Sequence, residues 1–124
     1  MPRFVVLEHD HPTLHWDFML EHAGALKTWR LPVFPPVAGE KLAVQALADH
    51  RLAYLNYEGP VSGERGQVIR RDQGTYDFAL NSDHSLDDFF KHDRLALILQ
   101  GGRLRGLVRL EHLDGDCWSL ELQQ

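Results

Sequence analysis

Three side chains near the start of the sequence have the types and the spacing that suit a metal ion. His15 and Asp17 are two residues apart in a segment that alternates between apolar and polar residues, which predicts a β-strand. Side chains two apart on a strand leave the sheet on the same side, about 7 Å apart at the backbone, so one ion can contact both. His9 can join them if the chain bends at residues 11–13, because Pro12 restricts its own backbone and that of the preceding residue. The sequence therefore predicts a metal site formed by His9, His15 and Asp17.

The strand that carries this pair has two different faces. Its apolar face is expected to point to the core and consists of Leu14, Trp16, Phe18 and Leu20, whereas the opposite face carries His15, Asp17, Met19 and Glu21. Histidines on a polar face are often simply solvated or hydrogen-bonded, which is the plainer alternative. A bound ion would satisfy three polar groups that lie beside a large apolar surface.

Alternating segments separated by turn residues predict further strands along the chain. A hairpin turn at residues 22–25 joins the central strand to a strand over residues 26–31. Residues 72–74 predict a second hairpin, between strands at 67–71 and 75–80. The remaining strands are predicted at residues 3–7, 42–48, 95–99, 103–110 and 117–122.

One short helix is expected among these strands. Ser85 and Asp88 have the spacing of a helix capping box, which predicts a helix over residues 86–92. Eight or nine short strands favour a closed barrel, because closure removes exposed strand edges. We therefore expect a mainly β fold, a small antiparallel β-barrel with one short helix, forming a single domain over residues 1–124.

His50 and Tyr54 are a second candidate pair. They are four residues apart and would lie on the same side of a predicted strand. A tyrosine in such a position is also commonly a packed aromatic with a surface hydroxyl, so the spacing alone leaves the role of this pair open.

Charge and composition limit the partners. The chain of 124 residues has a formal net charge of −5, which argues against broad electrostatic wrapping of a nucleic-acid duplex but not against contact with a strand end. Arg103, Arg105 and Arg109 share one face of a predicted strand, where they either follow phosphates or are solvated edge charges.

The single cysteine and the absence of long apolar runs indicate the compartment. Cys117 cannot form an internal disulfide and is expected to be a small packed side chain, as in a reducing environment. No apolar run has the length of a membrane span or resembles a signal peptide. We expect a cytoplasmic protein that has no contact with a membrane.

Several motifs together resemble the 3′-phosphoesterase domain of bacterial DNA ligase D. The motifs are His9-x5-His15-Trp16-Asp17-Phe18, Leu26-Lys27-Thr28-Trp29 with Pro32, Asp49-His50-x3-Tyr54-x2-Tyr57-Glu58-Gly59, Gly74-Thr75-Tyr76 and Leu104-Arg105-Gly106. They cover nearly the whole chain. Their combined spacing is specific, whereas any one of them would not be.

The resemblance implies a small β-barrel that uses manganese to trim 3′ ends in non-homologous end joining, removing a terminal ribonucleoside and then the 3′-phosphate. His9, His15 and Asp17 match the metal ligands, while His50 and Tyr54 match residues that contact the substrate phosphate and are the candidate catalytic residues. We expect Mn²⁺ as cofactor, and the same ligands would accept Zn²⁺, Co²⁺ or Fe²⁺. Expected partners are 3′ ends of DNA or RNA-tipped DNA and separate end-joining repair proteins, for a monomeric, stand-alone version of the domain.

Three features depart from the family pattern. The family's phosphate-binding arginine falls on Met19, a basic residue after Pro32 is replaced by Val33, and the stretch before His50 is one residue longer. These departures predict a weakened phosphoesterase unless another arginine reaches the phosphate. The conceivable substitutes are Arg30, Arg51 and Arg105.

Three functions compete at this stage. The first is a metal-dependent phosphoesterase, in which His50 either binds the phosphate or protonates the leaving oxygen, since the ordinary pKa of histidine lies close to neutrality. The second is a non-catalytic barrel that keeps the metal and binds phosphate. The third is a non-haem iron oxygenase, in which a distal histidine, His84 or His112, completes a triad with His15 and Asp17.

Overall fold

The computed structural model describes residues 2–79 and 93–123. Within these ranges the chain forms nine β-strands and one short 3₁₀ helix, and no helix there is both long and apolar enough to cross a membrane. The predicted helix at residues 86–92 lies outside the described residues. The strands are β1 (Arg3–His9), β2 (His15–His22), β3 (Ala25–Leu31), β4 (Lys41–Arg51), β5 (Gly59–Pro60), β6 (Gln67–Phe78), β7 (Arg94–Gly101), β8 (Arg105–Asp114) and β9 (Cys117–Gln123), and the 3₁₀ helix spans Leu52–Leu55.

Eight of the strands close into an antiparallel barrel, which confirms the predicted fold. The order around the ring is β1-β2-β3-β4-β9-β8-β7-β6, and β6 pairs back with β1. The two-residue strand β5 pairs with the start of β6. In a ring of this order β2 and β8 lie on opposite sides of the barrel.

Apolar side chains from all eight strands fill the barrel interior. Phe18 and Leu20 of β2 point into it, as the alternation predicted. Leu14 does not, because β2 begins at His15 and the Leu14 side chain is 55% exposed in the preceding connection. Tyr76 is also interior, and its hydroxyl donates a hydrogen bond to the carbonyl oxygen of Glu21 at 2.6 Å. Burial raises the pKa of the Tyr76 phenol far above its ordinary value.

Strand β6 runs without interruption through residues 72–74, where the sequence predicted a hairpin turn. Asp72 is buried, and its carboxylate accepts hydrogen bonds from the backbone N–H groups of Gly102, Arg103 and Leu104 at 2.7–3.1 Å. The carboxylate therefore stabilises the β7–β8 turn, and residues 72–74 themselves do not form a turn. Arg103 lies in this turn and not on β8, so the strand predicted at residues 103–110 begins two residues later.

A second apolar cluster covers the outer side of β1, β2, β3 and β6. Its buried members are Val5, Leu7, Met19, Leu26, Leu55 and Val68. Leu55 belongs to the 3₁₀ helix, which follows β4 in the chain and packs against β1 on the outside of the barrel. His15, Asp17 and Met19, on the outward face of β2, are therefore buried as well.

Two further predictions about single residues were wrong. Strand β4 ends at Arg51, and Tyr54 lies in the 3₁₀ helix, so His50 and Tyr54 do not share a strand. Cys117 is exposed at the start of β9 and is not a packed side chain.

Candidate metal centre

The connection after β1 brings the three predicted ligands together. Strands β1 and β2 pair antiparallel with His9 directly opposite His15, and residues 10–14 form the connection between them. One ligand atom from each of His9, His15 and Asp17 lies within 4.8 Å of the other two. In the part of the chain that the structure describes, no other group of three histidine, cysteine or carboxylate side chains is close enough to hold an ion.

The facing atoms of His15 and Asp17 lack hydrogen-bond partners. Both residues are 3% exposed, and His15 Nε2 lies 3.5 Å from Asp17 Oδ1. His15 Nδ1 donates to the carbonyl oxygen of Thr13 at 2.8 Å, so Nε2 of the neutral ring carries a lone pair. Two buried acceptors therefore face each other, which costs free energy unless a cation or a proton lies between them. This pair of atoms fits a metal ion.

His9 is oriented by a segment distant in sequence. Its Nε2 donates to the carbonyl oxygen of Arg65 at 2.7 Å, which leaves Nδ1 with a free lone pair. Metal-binding histidines commonly donate their second ring N–H to a carbonyl in this way. The neighbouring Asp10 accepts a hydrogen bond from the backbone N–H of Gln67 at 2.8 Å. These partners are 56 and 57 positions apart in the sequence, so no local pattern indicates them.

A groove with a volume of about 390 Å³ opens beside the three candidate ligands. It is lined by Leu7, His9, His11, Pro12, Asp17, Met19, Arg30, His50, Tyr54, Val61, Arg65 and Val68. The lining contains three histidines and two arginines but a single carboxylate. The groove is therefore locally basic, although the chain as a whole is acidic, and this charge favours an anionic ligand.

His50 and Tyr54 both line this groove, with their ring centroids 6.0 Å apart. His50 Nδ1 donates to the carbonyl oxygen of Ala48 at 3.0 Å, so its Nε2 can contact a ligand. The register of β3 against β4 shifts by one residue just before His50, which indicates a bulge in β4. This extra residue coincides with the additional position noted in the sequence. The two candidates are thus brought together by a strand end and a 3₁₀ helix, not by one strand.

The three arginines considered as phosphate ligands lie in different places. Arg30 of β3 lines the groove, and Arg51 lines an adjoining pocket beside Tyr54. Arg105 belongs to β8, across the barrel from β2, and its Nε donates to the carbonyl oxygen of Gly101. Arg109 is exposed on the same strand as Arg105. The arginine face predicted on this strand is therefore not adjacent to the candidate metal ligands.

The position of His112 bears on the oxygenase hypothesis. His112 lies on β8, where its ring nitrogens contact Gly115 and Asp93. The histidine next to His15 and Asp17 is His9, and His84 lies outside the described residues. Nothing in the described part of the chain brings His112 to this pair.

Comparison with known proteins agrees with the fold and the motifs. The family model for the DNA ligase D 3′-phosphoesterase domain matches residues 7–112. The multifunctional non-homologous end joining DNA repair protein LigD of Mycobacterium tuberculosis CDC 1551 is 37% identical over 123 residues, which is 93% of this chain and 15% of that protein. The multifunctional non-homologous end joining protein LigD of Pseudomonas aeruginosa is 36% identical over 112 residues, 84% of this chain and 12% of its own length.

The chain therefore spans only a small part of these curated relatives. A third relative, LigD of Mycolicibacterium smegmatis, is 30% identical over 124 residues, or 16% of its length. The identity and the share of this chain that is covered, together with the family match over residues 7–112, settle the classification. The chain belongs to the DNA ligase D 3′-phosphoesterase domain family.

Proposed function

We propose that this domain is a manganese-dependent phosphoesterase that removes a 3′-phosphate or a 3′-ribonucleotide from DNA ends during non-homologous end joining. The observation that carries the proposal is the buried pair of acceptors, His15 Nε2 and Asp17 Oδ1, at a locally basic groove. Such a pair suits a divalent cation, and the basic groove suits the phosphate of a strand end. Family membership supports the reaction class.

Each groove residue has a distinct role in this proposal. His9, His15 and Asp17 would hold the ion, which supplies Lewis-acid stabilisation of charge on the phosphate oxygens when bound. Thr13 and Arg65 hold the two imidazoles in the tautomers that coordination requires. His50 presents Nε2 to the groove, where it either binds a phosphate oxygen or gives a proton to the leaving oxygen. The Tyr54 ring packs edge-on against the His50 ring and limits its orientation.

Two imidazoles and a carboxylate would also accept Zn²⁺, Co²⁺ or Fe²⁺, and we propose Mn²⁺ as the native metal because of the family resemblance. The substrates we propose are 3′ ends of DNA or RNA-tipped DNA, and separate end-joining repair proteins are the proposed partners. We further propose that residues 1–124 form a single cytoplasmic domain that acts as a monomer.

A non-catalytic phosphate-binding barrel is the second candidate function. Met19 favours it, because this residue lies in the groove where the family pattern has an arginine, and its side chain is 1% exposed among apolar neighbours. A thioether offers neither a charge nor a donor to a phosphate. In this case metal and phosphate would bind without turnover.

A 3′-phosphorylated primer incubated with Mn²⁺ separates these functions. The phosphoesterase hypothesis predicts release of inorganic phosphate that requires the metal and is lost in His50→Ala. Retained binding of the primer without release would support the binding module. Turnover that depends on oxygen and an oxoacid, without phosphate release, would contradict both.

A further inference from the structure

Arg30 is a half-buried cation that has no hydrogen-bond partner among the described residues. It lies on β3 directly opposite Asp17 of β2, and its Nε is buried without a hydrogen bond. No ion pair joins the two side chains, although they are neighbours across the strands. Asp17 is therefore free to bind a metal, and Arg30 is free to bind an anion.

Two other arginines, Arg65 in the groove and Arg71 on β6, are already hydrogen-bonded. Arg65 donates to the backbone and side-chain oxygens of Ser62 at 2.7 and 3.2 Å. Arg71 forms two hydrogen bonds with the carboxylate of Glu8 at 3.1 and 3.2 Å. Among the described residues that line the groove, Arg30 is thus the arginine whose guanidinium can bind a ligand without breaking an existing hydrogen bond. Burying such a group without a counter-charge costs free energy, which a bound anion would recover.

We propose that Arg30 is the phosphate-binding cation of this domain and takes over the task that Met19 cannot perform. This inference rests on the proposed function, since it names the group that holds the terminal phosphate of the 3′ end. A guanidinium can bind two oxygens of one phosphate by parallel charge-assisted hydrogen bonds. Arg30 approaches from the β3 side, next to Asp17, and holds the phosphate beside the metal ligands.

The placement of Arg30 also separates it from the other candidates. Arg51 lines the neighbouring pocket with Tyr54 and Tyr57 and does not line the groove beside the candidate metal ligands. Arg105 is held by Gly101 on the opposite side of the barrel. Arg30 also borders a second groove of about 460 Å³ toward β4 and β9. The one carboxylate in that groove, Asp116, accepts a hydrogen bond from Gln45 at 2.8 Å and does not pair with Arg30.

The test compares Arg30→Gln and Arg30→Lys with Arg109→Gln, a matched loss of one exposed guanidinium on the opposite side of the barrel. Calorimetric titration of the Mn²⁺-loaded protein with inorganic phosphate should show binding about tenfold or more weaker for Arg30→Gln, since hydrogen bonds to charged groups are the strong ones. Arg30→Lys should recover part of the loss, because it restores the charge but not the two parallel bonds. Arg109→Gln should match the parent, and the Mn²⁺ affinity should be unchanged in all three.

Kinetics on the 3′-phosphorylated primer give a second readout. The loss in Arg30→Gln should appear in KM as well as in kcat, which a merely structural role would not produce at an unchanged melting temperature. Parent-like phosphate affinity and KM in Arg30→Gln would overturn the inference. If the parent binds phosphate through Arg30 but releases none from a 3′ end, the inference stands and the proposed phosphoesterase function fails. If the parent is active and Arg30→Gln is equally active, the function stands and the inference fails.

Discussion

His15 Nε2 and Asp17 Oδ1 face each other at 3.5 Å, both buried and both without a hydrogen-bond donor. In Asp17→Asn the amide N–H₂ can donate to His15 Nε2, so the metal-free variant should be at least as stable as the parent. The same change removes the anionic ligand. We expect Mn²⁺ to raise the melting temperature of the parent but not of Asp17→Asn, as followed by differential scanning calorimetry.

The size of this effect follows from binding linkage. A ligand that binds only the folded state at a hundred times its Kd adds about 2.7 kcal/mol to stability. His15→Ala should also lose the Mn²⁺ response, whereas His112→Ala on the opposite strand should keep it. Equal Mn²⁺ stabilisation of Asp17→Asn and the parent would contradict the assigned site.

Gly66, in the loop before β6, lies against the two residues that follow the candidate metal ligand His9. It has a φ of +74°, and a Cβ there would overlap Asp10 Oδ1 and lie 2.8 Å from His11 Cβ. Gly66→Ala should therefore displace the Arg65 carbonyl from His9 and weaken Mn²⁺ binding. Gly115 has a φ of +54° in the β8–β9 turn, and a Cβ there would meet no atom within 4 Å.

Gly115→Ala is the matched control for this change. Both variants should lose about 1–2 kcal/mol of stability because a side chain is placed in left-handed backbone, and Gly66→Ala should lose more because its Cβ also meets Asp10 and His11. Only Gly66→Ala should also lose metal affinity, measured by Mn²⁺ titration. An equal loss of Mn²⁺ affinity in both variants would show that the loss reflects general destabilisation and not a displaced His9.

Met19→Arg tests whether a guanidinium on β2 can bind the phosphate in place of Arg30. Met19 lies in the second apolar cluster, so the larger charged side chain should cost roughly 1–3 kcal/mol of stability, more than Met19→Leu. Because Met19 also lines the groove, the new guanidinium can reach the phosphate. We expect Met19→Arg to raise Mn²⁺-dependent phosphate release several-fold, and to restore phosphate binding in Arg30→Gln. A folded, metal-binding double variant that regains nothing would count against this.

Activity should be restricted to 3′ termini. The chain carries a net charge of −5, and its exposed Arg105 and Arg109 lie across the barrel from the groove, so these two arginines cannot follow the phosphates of a long duplex held at the candidate metal ligands. A closed circular plasmid should stay intact under conditions that release phosphate from a 3′-phosphorylated primer, as judged by gel electrophoresis. Efficient nicking of the circle would contradict the prediction.

The sequence by itself predicted the mainly β fold and brought the three candidate metal ligands together. The grouping of the ligands follows from local chemistry, since a period of two places His15 and Asp17 on one face and the Pro12 bend returns the chain so that β1 and β2 pair. The same local rules wrongly predicted a turn at residues 72–74, because aspartate and glycine are common in turns. In the structure the Asp72 carboxylate instead accepts hydrogen bonds from a turn distant in sequence, between β7 and β8.

Only the tertiary structure decided how the groove is completed. The 3₁₀ helix places Tyr54 beside His50, the Arg65 carbonyl orients His9, and barrel closure separates Arg105 from Arg30. The last two relationships involve residues far apart in sequence, and all three depend on strand order or on which segment covers the outer side of the barrel. Hydrophobic periodicity carries no information about either, so the tertiary structure was needed to place Arg30 alone in the groove among the three candidate arginines.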